Sequence, residues 1–256
     1  MADRSFDGLS NKFSQHIYAT DKGRLRLALL EEDLFNQGPD WNQPLDILDA
    51  GGGMGQLSAR LAGQGHRITL CDISAEMLAG ARSNFAEQAP AAEPRFLQAA
   101  IQDLPQLLAG HDYDLVLFHA VMEWLQQPYQ ALQQLLELLR PGGHLSVMFY
   151  NRHALNWRYL TSNQFALAMQ EQVQTKPDSL TPPGPLDPYE VAAWLEQAGL
   201  NMKAWTGIRC VYDHVPRPLK PKLDYDEVLQ TERHFARRPP YRELGRYVHM
   251  LVQKPD

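Results

Sequence analysis

Four glycines fall within five positions of the stretch Leu48-Asp49-Ala50-Gly51-Gly52-Gly53-Met54-Gly55. A main chain without Cβ atoms lets a ligand approach it closely, so this is the first place to look for chemistry. The register limits which ligand. A loop that cradles nucleotide phosphates ends in Gly-Lys-Ser/Thr, whereas Gln56-Leu57-Ser58 follows here, without the lysine. A dinucleotide loop needs its third glycine one position after Gly55, and that position is Gln56. Three acids surround the loop in sequence: Asp49 before it, Asp72 further on, and Asp103 in Ala100-Ile101-Gln102-Asp103. Asp72 can accept from both hydroxyls of a ribose, which suits a dinucleotide as well as a nucleoside. Each acid could instead cap a helix N-terminus, Asp103 before Leu104-Pro105 above all.

The pattern Asp49-x-Gly51-x-Gly53-x-Gly55 resembles the S-adenosylmethionine (SAM) loop of class I methyltransferases. SAM carries an ammonium, a carboxylate and a sulfonium, but no phosphate. The resemblance implies that Gly51, Gly52 and Gly53 bring backbone against the methionyl part and that Asp49 suits its cationic end. Asp72 would then take the ribose. An acid at Asp103 would receive the adenine amino group, with Ile101 and Gln102 meeting the ring. That third element separates SAM from a dinucleotide.

These residues need elements to hold them at one edge. Leu45–Leu48 is an apolar strand entering the glycines, and Gln56–Gln64 continues as a helix. Arg67–Cys71 is a second strand ending at Asp72. Ser74 is an N-cap for a helix with Met77, Leu78 and Ala81 on one face. Arg95–Leu97 is a short third strand. Tyr113–Phe118 is nearly all apolar, as a strand buried on both faces would be. A helix through Ala131–Leu139 stops at Arg140-Pro141-Gly142-Gly143, and a fifth strand follows from His144 to Tyr150. After an amphipathic segment and a proline-rich loop come a helix from Pro188 to Gln197 and two strands, Met202–Val211 and Arg246–Val252. Alternating strands and helices predict an α/β fold with a mostly parallel, seven-stranded, Rossmann-like sheet of the class I methyltransferase type. The expected organisation is an N-terminal helical arm over residues 1–44, a SAM-binding core over 45–150, and completion of the sheet with substrate-side insertions over 151–256.

Bulk properties narrow the function classes. The 256-residue chain has two cysteines and no apolar leader in MADRSFDGLS, which predicts a cytoplasmic protein with reduced thiols. No apolar run reaches the length of a membrane span. The nine histidines form no spaced Cys/His cluster, so no metal is expected. The net charge of −6 is uneven: residues 201–256 carry 11 Lys and Arg against 7 Asp and Glu, a net of +4, while the preceding 200 carry −10. A basic C-terminal quarter suits a polyanionic partner, or is simply a solvated face.

The fourth strand runs into Leu117-Phe118-His119-Ala120-Val121-Met122-Glu123-Trp124, without the Asp/Asn-Pro-Pro-Tyr/Phe of N-methyltransferases. His119 stands at the ligand edge of the sheet, or is a satisfied core histidine. Together with DRSFDGLSNKFSQHIYATDKGRLR, LDAGGGMGQ, LRPGGHLSVMFYN and the closing LGRYVHMLVQKP, this segment resembles one family. It is the bacterial tRNA 5-carboxymethoxyuridine methyltransferases, which esterify an acidic modification of the wobble uridine. The likeness runs from the first residues to the last strand and is weakest over residues 155–190.

That resemblance implies methyl transfer from SAM, leaving S-adenosyl-L-homocysteine (SAH), to the carboxylate of the modified base in a tRNA anticodon stem-loop. A carboxylate is already an anion at neutral pH, so no general base is required. Arg26 matches a SAM-binding arginine that would clamp the methionyl carboxylate, and His119 joins the cofactor set. Tyr18 and Lys22 share a helical face with Arg26 and would cover cofactor or contact substrate. Asn151 and Arg152 after the fifth strand, Arg209 at the end of the sixth, and Arg246 with Tyr247 at the start of the seventh are candidates for tRNA contact. His119, Tyr150 and Arg209 are candidates for positioning the acceptor. Trp157 and Tyr159 could stack on a base or pack in the core. Arg209 and Arg246 could equally be structural ion pairs. Two other functions stay open: a methyltransferase of a small carboxylate or quinone-type metabolite, and a non-catalytic SAM-binding module in tRNA modification. A dinucleotide oxidoreductase is the weakest.

Overall fold

Apolar residues at successive positions of the central strands give the sheet two buried faces. Strand β1 (Asp46–Ala50) and β4 (Tyr113–His119) send Ile47, Leu115 and Leu117 to one face and Leu48, Val116 and Phe118 to the other. The structure, a computed structural model, describes residues 20–170, 173 and 181–256. In chain order, α1 (Asp21–Gln37) precedes β1, then α2 (Gln56–Gly63), β2 (Arg67–Asp72), α3 (Ala75–Gln88) and β3 (Arg95–Gln98). A short helix α4 (Leu104–Leu107) leads to β4, followed by α5 (Pro128–Glu137) and β5 (Leu139–Tyr150). Helices α6 (Arg152–Thr161), α7 (Phe165–Gln170) and α8 (Pro188–Gln197) come before β6 (Asn201–Ile208), α9 (Tyr225–Phe235) and β7 (Tyr247–Gln253).

The seven strands form one sheet in the order β3-β2-β1-β4-β5-β7-β6. The pairs from β3 to β5 are parallel, and β7 runs antiparallel to both β5 and β6. Leu34 of α1, with Leu57, Leu61, Leu78 and Phe85 of α2 and α3, covers one face. Leu132 and Leu135 of α5 and Val191 and Leu195 of α8 cover the other. The strand order reverses between β1 and β4, so the crevice at their C-terminal ends is the ligand position of such a fold.

The predicted strands are present with shifted bounds: β6 stops at Ile208 instead of Val211, and β5 begins early, at Leu139. The stop at Arg140-Pro141-Gly142-Gly143 lies inside β5, because Leu139 already pairs with Tyr113 and the register slips before Leu115 meets His144. Proline and glycine here mark an irregularity in a strand, not a turn before one. Ser74 caps α3 by accepting from the Met77 amide at 3.2 Å. No helix among the described residues is long and apolar enough to cross a membrane.

Candidate functional site

The glycine loop is tied to the end of β2. The amides of Gly51 and Gly52 donate to the Cys71 carbonyl at 2.9 and 3.0 Å. The Gly53 amide donates to Asp72 Oδ2 at 2.9 Å, and the Ser74 amide donates to Oδ1 at 2.9 Å. Asp72 therefore holds the loop, and the residue, 7% exposed, borders the crevice. Two glycines show why this loop has no side chains. A Cβ on Gly52 would sit 2.6 Å from the Asp49 carboxyl, so glycine allows the acid to pack beneath the loop. Gly53 has φ +56° and open space where its Cβ would be, so its bare backbone borders the crevice.

Asp49 lies below, hydrogen-bonded by the Ser58 hydroxyl. Burial pushes its carboxyl up to about 7, with the Ser58 bond opposing and the Asp72 charge adding to the rise. Arg26 reaches the crevice from α1, and Ile101 and Gln102 border it after β3. Ile73, Met77 and Ile101 supply apolar walls near the end where Asp72 and Gln102 stand, as an adenosine requires. These residues fit SAM: a guanidinium for its carboxylate, carboxylates for its ammonium and ribose, and bare backbone between them. Among the described residues, no group of three or more His, Cys, Asp or Glu is arranged to hold a metal.

His119 ends β4 in the same wall, and behind it runs a buried relay that no local motif announces. His119 Nε2 meets Ser146 Oγ at 2.7 Å, Ser146 Oγ meets His249 Nε2 at 2.8 Å, and His249 Nδ1 meets Asp33 Oδ2 at 2.7 Å. Arg237 then donates to Asp33 Oδ1 from both Nε and a terminal nitrogen, at 2.9 and 2.6 Å. With Asp33 ionised, His249 Nδ1 must donate. The Ser146 hydroxyl bridges the two imidazoles through their Nε2 atoms. Burial and the charges of His249 and Arg26 hold His119 well below its usual range, so it is neutral at pH 7.

Ala120 has φ +59°, a left-handed turn costly for a residue with a Cβ. It directs the chain into the helical turn Met122–Trp124, which brings Glu123 under the crevice wall. Nothing in the local sequence marks Glu123 for a role in the site. Burial raises its carboxyl to about 8.

The structure gathers ten predicted residues around one crevice: Arg26, Asp49, Gly51, Gly52, Gly53, Asp72, Ile101, Gln102, His119 and Tyr247. Others lie elsewhere. Asp103 is exposed and outside the crevice lining, because the 3-10 turn Ile101–Asp103 points Gln102 inward instead. Asn151 is a structural residue, not a substrate ligand. Its Oδ1 accepts from the His153 amide at 2.9 Å, capping α6, and its Nδ2 donates to the carbonyls of Glu243 and Gly245, each at 2.8 Å. Arg152 is turned to Glu190 at 3.8 Å. Tyr150 is fully buried under the Arg246 guanidinium, 4.7 Å from its ring, and does not line the crevice. Tyr159 packs beside Tyr150 in the core, whereas Trp157 is exposed. Tyr18 lies outside the described residues.

Arg209 takes the structural alternative in part. It pairs with Asp213 at 3.2 Å, has φ +62°, and stacks 5.6 Å from the Tyr247 ring. Three amides after it, of Cys210, Val211 and Tyr212, donate to the buried Glu232 carboxylate at 2.8–3.1 Å and fix this turn. The 3-10 helix Arg217–Lys222 then presents Arg217 and Lys222 to solvent. Burial and the charges of Lys22, Arg209 and Arg217 lower the Lys220 ammonium, with Asp213 opposing. Lys22, Arg209, Arg217 and Lys220 thus form one basic cluster, connected to the crevice through Tyr247.

Comparison with known proteins agrees with this geometry. The chain matches the methyltransferase-domain family over residues 48–147. It is 39% identical to the tRNA 5-carboxymethoxyuridine methyltransferase of Escherichia coli (strain K12), over 100% of this chain and 98% of that protein. The ubiquinone biosynthesis O-methyltransferase of Cronobacter sakazakii (strain ATCC BAA-894) is 27% identical, over 73% of this chain and 74% of that protein. Among solved structures, the plantazolicin methyltransferase BpumL in complex with SAH superposes with a TM-score of 0.62 at 19% identity, over 98% of this chain and 91% of that one, a likeness of fold.

Proposed function

The chain belongs to the tRNA 5-carboxymethoxyuridine methyltransferase family, and from that membership we propose that it esterifies the carboxylate of 5-carboxymethoxyuridine at the tRNA wobble position. It is a SAM-dependent methyltransferase of the class I fold. The observation that carries the substrate is the reach of the likeness, 100% of this chain and 98% of the relative. That span takes in the arm with Arg26 and the basic segment around Arg217, which lie outside the general methyltransferase domain at 48–147.

The chemistry of the crevice supports an acceptor that arrives ionised. Bound SAM supplies an electrophilic methyl group on a sulfonium. Around it, no described side chain offers an accessible strong base at pH 7. Asp49 is buried under its bond from Ser58, burial holds His119 well below its usual range and so makes it a weak base, and burial raises Glu123 to about 8, which keeps it mostly protonated. A quinol or amine would need such a base, whereas a carboxylate does not. Arg26 orients the methionyl carboxylate, Asp72 holds the ribose, and the crevice walls place the acceptor oxygen in line with the methyl group. A tRNA substrate puts the reaction in the cytoplasm.

Incubating the protein with tRNA and methyl-labelled SAM tests this. The label is expected in tRNA and is expected to leave as methanol under mild alkali, as an ester must. Base-stable label would mean ring or ribose methylation and would overturn the assignment.

The basic cluster, together with Lys222 on the same 3-10 helix, is the RNA side of the same proposal. Arg217 and Lys222 contact backbone phosphates of the anticodon arm. Arg217→Ala with Lys222→Ala should weaken tRNA binding and reduce the log–log salt slope by about two, with SAM affinity unchanged. An unaltered slope in filter binding would move the RNA surface elsewhere.

A further inference from the structure

Glu123 is 1% exposed and borders the crevice, yet neither of its carboxyl oxygens has a hydrogen-bond partner. Buried polar groups are almost always satisfied, so a carboxyl left open at a ligand crevice calls for a partner supplied by the ligand. Its backbone is firmly held. The Gly184 amide donates to the Glu123 carbonyl at 3.1 Å, and a Cβ on Gly184 would crowd that oxygen. The residue lies four positions beyond His119, the last residue of β4, at the strand edge where an acceptor must approach.

We propose that Glu123, in its neutral form, binds the acceptor carboxylate by donating a hydrogen bond to one of its oxygens. It thereby selects an acidic acceptor, and this assignment rests on the substrate proposed above. The other oxygen stays aligned for attack. It forms the new bond to the methyl carbon as the carbon–sulfur bond breaks, and the electron pair of that bond stays on sulfur. The negative charge of the carboxylate and the positive charge of the sulfonium cancel, and the Glu123 proton remains where it began. An ionised Glu123 would instead repel an anionic acceptor. Burial favours the neutral acid. Against it act the backbone amides of Glu123 and Tyr150, which lie near without closing a hydrogen bond, and the charge of Arg26 from α1. Neutral carboxylic acids kept protonated by burial serve as donors in other enzyme sites.

The test is equilibrium binding, in the presence of SAH, of two tRNAs that differ only at the wobble base. One carries 5-carboxymethoxyuridine and the other its methyl ester. At pH 7 the protein should prefer the acid form by about tenfold or more, the effect of one hydrogen bond to a charged group. That preference should fade as pH rises past about 8. Glu123→Gln keeps a neutral donor and should retain the preference with no fall at high pH. Glu123→Ala should lose it, and both variants should bind SAH normally by calorimetry. Retained preference in Glu123→Ala would overturn the role of Glu123 while leaving the substrate intact. Loss of SAH affinity in both variants would assign the carboxyl to the methionyl group instead. A protein that shows no preference for the acid form and puts no methyl into tRNA would overturn the substrate itself, and the role with it.

Discussion

Replacing Asp72 with alanine is expected to lower SAM affinity by a hundredfold or more. Two ribose hydroxyls would lose one ionised acceptor, and hydrogen bonds to charged groups contribute about 1.5–3 kcal/mol each, or roughly a factor of ten to a hundred apiece. The same substitution releases the Gly53 and Ser74 amides that Asp72 holds at 2.9 Å, so the glycine loop also loses its register on β2. Asp72→Asn separates the two effects: its single amide oxygen can still accept from one of these amides, but its nitrogen cannot accept from a diol. Calorimetry with SAM reads the outcome directly. Affinity within about threefold of the parent for Asp72→Ala would move the ribose site away from β2.

The second large effect concerns stability. Asp33 is 1% exposed and is held by Arg237 on one oxygen and His249 on the other. Removing one partner from a buried charged network leaves the others uncompensated, typically at about 3–5 kcal/mol. For a domain of this size that corresponds to a fall in Tm on the order of 10 °C. Burial works to raise the Asp33 carboxyl, but the His249 bond and the charges of His249 and Arg237 win and hold it below the usual range. A depressed folded pKa means stability present above the unfolded value near 3.9 and lost as pH falls through the lower folded value. Asp33→Ala should therefore lose most stability near neutral pH and show a shallower acid transition. Because Arg26 sits two turns earlier on the same α1 helix, SAM affinity should drop as well. A melting temperature unchanged at pH 7 would show that the relay contributes nothing.

Sequence patterns carry far in this chain wherever a structural demand is local. The apolar runs at Leu115–Phe118 and Ile68–Cys71 predict buried strands, and strand ends place Asp72 and His119 at the crevice. Resemblance to a family adds Arg26, which no periodicity could nominate. What stayed hidden depends on long-range contacts. Asp33 and His249 are 216 residues apart, so neither reads as half of a pair. Glu123 looks like an ordinary loop acid until the left-handed turn at Ala120 and the contact with Gly184 bury it. Asn151 misled for the opposite reason. A polar residue at a strand end suggests a ligand, but this amide caps a helix and closes a loop over β7 with all its hydrogen bonds internal. At Asp103, a 3-10 turn rotated the predicted acid outward and left Gln102 at the wall.

The most direct test of the substrate is mass spectrometry of nucleosides from tRNA treated with this protein and SAM. The expected result is conversion of 5-carboxymethoxyuridine into a nucleoside heavier by one methylene, confined to the wobble position and reversed by mild alkali. A methyl group found on any other nucleoside, or unreacted 5-carboxymethoxyuridine beside an active protein, would contradict it.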